Sequence, residues 1–191
     1  YKEKLNMKKH IITIAGDHAS GQGSLADTLS RDLGYEIYRN GQYVRKLAKE
    51  MGMDIVEFQE YLNSHEELDR QIEKSASDYA KTHENLVVDA KLGWYVIPDS
   101  FKIYLKVDIK KAAERVFNDK KRKDTEFFDT IEEVEKKIIY RHNEENNRWF
   151  KTYGVNRDDM SNYDFVLDTT NLSIEETNDI VLEKYREWLE E

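Results

Sequence analysis

The stretch His10-Ile11-Ile12-Thr13-Ile14-Ala15-Gly16-Asp17-His18-Ala19-Ser20-Gly21-Gln22-Gly23-Ser24-Leu25-Ala26 carries the reading of the fold. Its first six residues are short, apolar and β-branched and stop at a glycine, as a buried strand does. From Leu25 the apolar positions Leu25, Ala26, Leu29 and Leu33 recur at helical spacing, and Gly34 closes the helix. A glycine-rich turn joins the two. Backbone N–H groups and the helix dipole at such a junction make an anion site without help from side chains.

The phosphate-loop pattern is G-x-x-x-x-G-K-[ST]. Gly16 and Gly21 fit it, with Ser20 just before the second glycine. Gln22 stands in the Lys position, Gly23 in the Ser/Thr position, and Ser24 one place further on. The absent Lys removes the charge that reaches the β- and γ-phosphates. The absent hydroxyl removes the usual magnesium ligand, a part that Ser24 is expected to share. Taken alone, the turn is as compatible with an ordinary strand-to-helix connection as with a phosphate site. Asp17 inside it is expected to repel a triphosphate, and His18 reads as a surface loop residue.

Outward from the loop, a short strand around 36–38 precedes three helical pieces, near 42–50, 55–62 and 65–82. Asp54 with Glu57 and Ser64 with Glu67 have capping-box spacing. Strands follow at 85–89 and 101–107, then a helix capped by Asp108. Thr130 with Glu133 opens a long helical pattern to about Thr152. A last strand at 163–168 leads to a helix capped by Ser173 and Glu176, with Ile174, Ile180, Val181, Tyr185 and Trp188 as one stripe. Apolar strands separated by helices predict a doubly wound α/β domain, its parallel sheet covered on both faces and its ligands at the strands' carboxyl ends.

The chain has 191 residues and a net charge of −9. An acidic chain gains no global attraction to nucleic acid, so phosphates need a local cluster of cations and amides. No apolar run is long enough to span a membrane. The opening Tyr1–Asn6 is charged and lacks the core of a secretory signal, so the expected compartment is the cytoplasm. With no cysteine there are no disulfides, zinc-thiolate sites or thiol catalysis. Oligomeric state is not written in these features.

Several segments in order resemble the archaeal-type and related bacterial cytidylate kinases, nucleoside monophosphate kinases of the phosphate-loop fold. Gly41-Gln42-Tyr43-Val44-Arg45-Lys46-Leu47-Ala48 resembles the monophosphate-binding segment. Met51–Phe58 and Glu67-Leu68-Asp69-Arg70 resemble the two helices that follow it. Leu86–Trp94 resembles the next strand and turn, where the family has Arg in place of Lys91. Arg141 and Arg148, with Tyr153-Gly154-Val155 behind them, are similar to the lid arginines, and Tyr163–Ser173 closes the match. The resemblance covers about residues 8–185. It implies a single domain of about five parallel strands in three layers, with a monophosphate-binding insert near 40–83 and a lid near 118–150.

The same resemblance implies that Gly41 and Arg45 hold an acceptor phosphate, that Arg141, Arg148 and Lys91 serve the transferring group, and that Asp69 lies near a pyrimidine. ATP is then the donor, with Mg2+ held through Ser24 and water, and Asp89 either joins that magnesium site or binds the substrate. Each residue also has a plainer reading. Arg141 and Arg148 lie two turns apart on one helix face, aimed at one phosphate chain, yet Glu144 is placed to pair with Arg148 on the surface. Arg45 and Lys91 read equally as surface cations, Asp89 as a turn cap, and Asp69 as an exposed helical acid. Lys120–Lys123 is a phosphate cover or a solvated loop. Trp94, Trp149 and Trp188 are expected to pack in the core rather than to stack on a base.

The expected function is transfer of the ATP γ-phosphoryl to a pyrimidine nucleoside monophosphate, CMP or dCMP foremost. The alternatives are a nucleotide-binding or regulatory protein of this fold with impaired catalysis, or a kinase for another acceptor. The partners are small nucleotides, with neither nucleic acid nor membrane.

Overall fold

The computed structural model describes residues 9–119 and 128–191, so the Lys120–Lys123 run lies outside the described residues. Strand β1 (Ile11–Gly16) is the middle of a five-stranded sheet ordered β2-β3-β1-β4-β5. It lies between β3 (Leu86–Asp89) and β4 (Phe101–Lys106), with β2 (Glu36–Arg39) and β5 (Phe165–Asp168) at the edges, and every pairing is parallel. All six residues of β1 are buried. An unbroken apolar run is what a strand covered on both faces requires.

One face is covered by α1 (Gln22–Leu33) and α8 (Ile174–Glu190), whose Leu25, Leu29, Val181 and Tyr185 close around Ile12, Ile14 and Ile103. Helices α2 (Asn40–Glu50), α3 (Ile55–Leu62) and α4 (Glu66–Thr82) fill the connection from β2 to β3. They have an apolar cluster of their own in Val44, Ala48, Phe58, Leu62 and Ile72. The single turn α5 (Gly93–Val96) follows β3. Helix α6 (Ile109–Asn118) packs against the long α7 (Ile131–Tyr153) through Ala113, Val116 and Val134.

Most of the expected caps form. Asp54 and Glu57 bond reciprocally, both at 2.9 Å, as do Ser173 and Glu176 at 2.8 and 3.1 Å. The Thr130 hydroxyl accepts from the Glu133 N–H, while the Glu133 carboxylate reaches the Asp129 amide instead. The Ser64–Glu67 box does not form: α4 begins one residue later, with His65 at its N-cap, and Ser64 Oγ donates to the Tyr61 carbonyl at 3.1 Å. The last strand is shorter than expected, because Tyr163 still belongs to the turn closing a short 3-10 helix over Met160–Asn162. Among the described residues no helix is long and apolar enough to cross a membrane.

Candidate active site

The glycine-rich loop is built by close approach and by turning. A Cβ on Gly16 would lie 2.6 Å from the Leu105 carbonyl and 2.7 Å from Ser20 Oγ, so only glycine fits there. The chain then passes through left-handed conformations at Ala19 (φ 62°) and Gly21 (φ 97°) and enters α1 with no side-chain cap. The amide of Leu25 bonds the Gly21 carbonyl at 2.9 Å. The amides of Gln22, Gly23 and Ser24 precede that bond and are the orphan donors of a helix start, the groups that bind an anion in such a loop.

The loop is braced from the side of β5. Thr169 Oγ1 donates to the Ser20 carbonyl at 2.8 Å, and Arg115 donates to the carbonyls of Ala19 and Thr169 at 3.0 and 2.8 Å. Ser20 Oγ is buried without a hydrogen-bond partner. Asp17 does not stand where a repelling acid would: its carboxylate accepts from the Tyr104 hydroxyl at 2.6 Å and from the Val107 amide at 3.0 Å. Gln22 turns back on β1, its Nε2 donating to the Ile14 carbonyl at 3.0 Å. Ser24 is exposed on the first turn of α1.

Beside the loop, the carboxyl end of β3, the helices α2–α4 and α7 enclose a cavity of about 320 Å3. Gln22, Gly41, Arg45, Asp69, Asp89, Lys91, Arg141 and Arg148 all line it, although they come from five separate segments of chain. Gly16, Ser20, Gly21, Gly23 and Ser24 are not in its lining but belong to the loop at its edge. A Cβ on Gly23 would lie 3.4 Å from Arg39 Nη1 and 3.8 Å from Asp89 Oδ2.

Arg45 and Arg141 reach the cavity with no ion-pair partner among the described residues, which leaves them available to an anion. Arg148 pairs across to α4, its Nε 3.4 Å from Asp69 Oδ1 and its Nη1 donating to Gln59 Oε1 at 3.2 Å, rather than along α7 to Glu144. Asp69 is therefore not the exposed acid expected of it. It is 1% exposed, and burial, ahead of the opposing Arg148 charge, raises its carboxyl above the usual range. A signal was present: Asp69 lies on the same helical face as Ile72, Ala76 and Ala80. Asp89 is held by Arg39 Nη1 at 3.1 Å, and burial raises its carboxyl too.

A second group of charges stands on the loop side. Glu145 Oε2 accepts from Lys91 Nζ at 2.5 Å and from Arg157 Nη1 at 3.3 Å, and His18 Nε2 lies 3.4 Å from the same oxygen. His18 is thus no surface residue. Its side chain is 11% exposed, and burial, then the Lys91 charge, push its imidazole down to about 4, so it is neutral at physiological pH. Burial likewise pushes Lys91 down to about 8, against the pull of Glu145. Burial alone would raise Glu145, but Lys91 and His18 outweigh it and hold the carboxyl well below its ordinary value.

The sequence reading did not single out Arg39, Glu73, Glu145 or Arg157. Arg157 follows the helix-closing Gly154 in irregular chain, where no periodicity marks a buried position. Of the tryptophans, Trp94 packs on Tyr163 and Trp188 on Phe101, as expected of core residues. Trp149 is buried but also reaches the cavity wall.

A five-stranded parallel sheet with a glycine-rich loop after its central strand and a cation-lined cavity beside it defines a phosphate-loop kinase, a nucleotide-binding class. Shikimate kinase from Bacteroides thetaiotaomicron shares this fold, with a TM-score of 0.62 at 13% identity over 92% of this chain and 98% of that one. The sequence model of the cytidylate kinase-like family matches residues 11–171. A cytidylate kinase of Thermoplasma volcanium is 34% identical over 181 residues, 92% of this chain and 91% of its own. One from Pyrococcus abyssi is 34% identical over 166 residues, 86% and 87% of the two chains. The chain belongs to the cytidylate kinase-like family.

Proposed function

We propose that this protein transfers the γ-phosphoryl group of ATP to a pyrimidine nucleoside monophosphate, CMP or dCMP foremost. The observation that carries the reading is the convergence of Arg45, Arg141, Arg148 and Lys91 on one cavity at the edge of the glycine-rich loop. Phosphoryl transfer needs placement and charge neutralisation more than covalent chemistry. In this reading the loop amides of Gln22, Gly23 and Ser24 bind the donor phosphates. Arg45 holds the acceptor phosphate, while Arg141 and Arg148 neutralise the group in flight. An acceptor phosphate oxygen displaces ADP in line, so no protein nucleophile is called for.

The residues present suit a donor triphosphate in one respect and magnesium in another. The amides that open α1 and the buried Ser20 Oγ, which has no hydrogen-bond partner, leave polar groups for phosphate. Magnesium is commonly held by one or two carboxylates together with phosphate oxygens and water. Asp89 and the exposed Ser24 hydroxyl supply donors of that kind at this end of the sheet. When bound, the ion spreads charge from the phosphates.

One observation favours a second reading, that of a nucleotide-binding protein with impaired catalysis. Gln22 occupies the lysine position and spends its amide on the Ile14 carbonyl. Replacement Gln22→Lys separates the two. On the kinase reading the unaltered protein already forms CDP and ADP in equal amounts, and the variant raises kcat/KM by about 10- to 100-fold by adding one phosphate contact. A silent parent protein that gains CDP formation only with Gln22→Lys supports the impaired reading instead.

A further inference from the structure

We infer that Lys91 takes the place of the lysine missing from the phosphate loop: it leaves Glu145 and brings its charge to the β- and γ-phosphates of the donor. The inference rests on the proposed reading of the loop as a triphosphate site and names the cation that completes it. Gln22 stands where that lysine belongs and turns its amide back to the Ile14 carbonyl, so the loop itself offers a phosphate dipoles and no positive charge. Lys91 comes to the same place by another route. Asp89 at the end of β3 is in parallel register with Ile14 of β1, so the chain leaves the sheet at Lys91 beside the start of the loop. Its Nζ lies 3.2 Å from Nε2 of His18, inside the loop, while the same side chain lines the acceptor cavity.

The partners of each nearby cation decide which one is free to move. Arg39 also borders the loop, with Nη1 3.4 Å from where a Gly23 Cβ would lie, but Asp27 and Asp89 hold it at 2.6 and 3.1 Å. Arg115 touches the loop as well, yet its guanidinium is committed to the carbonyls of Ala19 and Thr169. Lys91 has one carboxylate partner among the described residues, Glu145 Oε2 at 2.5 Å. That oxygen also receives Arg157 Nη1 at 3.3 Å, and the Arg157 side chain is fully buried. Departure of Lys91 therefore leaves the buried carboxylate with a cation, whereas an uncompensated buried charge would oppose the move. Arg157, with no exposed surface, cannot make the same move. The Lys91 side chain is 25% exposed and ends in a compact charge on a flexible four-carbon stem, with three donors of which Glu145 and His18 engage two.

Calorimetric binding of Mg-ATP to the full chain without acceptor tests this, with CMP binding without ATP measured beside it. Lys91→Met is expected to weaken Mg-ATP binding about 10-fold or more, the worth of one charge-assisted phosphate contact, while CMP affinity moves by less than about 3-fold. Adding Gln22→Lys to Lys91→Met restores Mg-ATP affinity to within about 3-fold of the parent. That gain exceeds the one Gln22→Lys gives in the parent, because two lysines serving one triphosphate do not add. Lys91→Gln, which keeps a donor for Glu145 but no charge, loses Mg-ATP affinity as Lys91→Met does. Unchanged Mg-ATP affinity in either Lys91 variant overturns the inference. So does a loss confined to CMP, which keeps the monophosphate reading and puts Lys91 on the acceptor phosphate. An equal gain from Gln22→Lys in the two backgrounds overturns it as well. If Lys91→Met does not fold, Lys91→Gln and its double variant with Gln22→Lys decide. Absence of Mg-ATP binding in the parent protein overturns the inference together with the kinase reading.

Discussion

Replacing Arg141 and Arg148 together by alanine is expected to lower kcat/KM for phosphoryl transfer by about 10³-fold or more, the scale on which arginines that neutralise a transferring phosphoryl group act. Both project from α7 into the cavity, two turns apart on one helix face. Arg141 has no carboxylate partner to lose among the described residues, so Arg141→Ala alone reports on catalysis with little structural cost. Arg148 is different. It is the cation beside the buried Asp69, and removing it leaves that carboxylate uncompensated. Asp69→Asn added to Arg148→Ala relieves that cost but does not restore transfer, which separates the two roles of the arginine. Steady-state rates paired with urea unfolding measure both. Full activity in the double variant would mean that the cavity arginines serve only the fold.

The largest effect on stability is expected at Arg157. Its side chain is fully buried, with Nη1 on Glu145 and Nη2 donating to His142 Nδ1. His142 Nε2 in turn lies 2.9 Å from Asp158 Oδ2. The guanidinium also lies 5.3 Å from the centre of the Trp149 ring, and the Arg157 carbonyl accepts from the Tyr163 hydroxyl at 3.0 Å. Arg157→Ala opens a void and strands buried partners, at a cost of about 3–5 kcal/mol in unfolding free energy. Urea denaturation reads this directly. A loss below about 1 kcal/mol would show that Lys91 alone satisfies Glu145 and that the arginine contributes little.

The middle of the sheet was legible because β1, β3 and β4 are largely buried on both faces, and such strands announce themselves as apolar runs. The helices were legible from period and caps, and the one cap misplaced, at Ser64, failed because the neighbouring Tyr61 carbonyl competed for the same hydroxyl. Lys91 was marked by its place just past an apolar strand, whereas Arg141 and Arg148 were singled out by the resemblance to lid arginines, their helical spacing alone being equally that of a surface pair. Asp69 was misread because an acid on a helix is usually solvated, although its place on the apolar stripe argued otherwise. His18 and Arg157 had no such sign. Both are buried because Glu145 on α7 brings the end of β3, the loop and the chain after α7 to one carboxylate oxygen. Charge networks of that kind are products of tertiary packing and leave no periodic trace.

On the proposed function, a phosphate loop without its lysine works as a kinase because cavity arginines carry the charge. Release of ADP from Mg-ATP, measured with CMP, dCMP, UMP, dTMP and AMP as acceptors, tests it most directly. The account predicts turnover with CMP and dCMP ahead of the others, lost when Arg141 and Arg148 are both alanine, which also excludes a contaminating kinase. Silence across all five acceptors at high protein concentration would contradict it and leave a nucleotide-binding protein that kept the fold without the reaction.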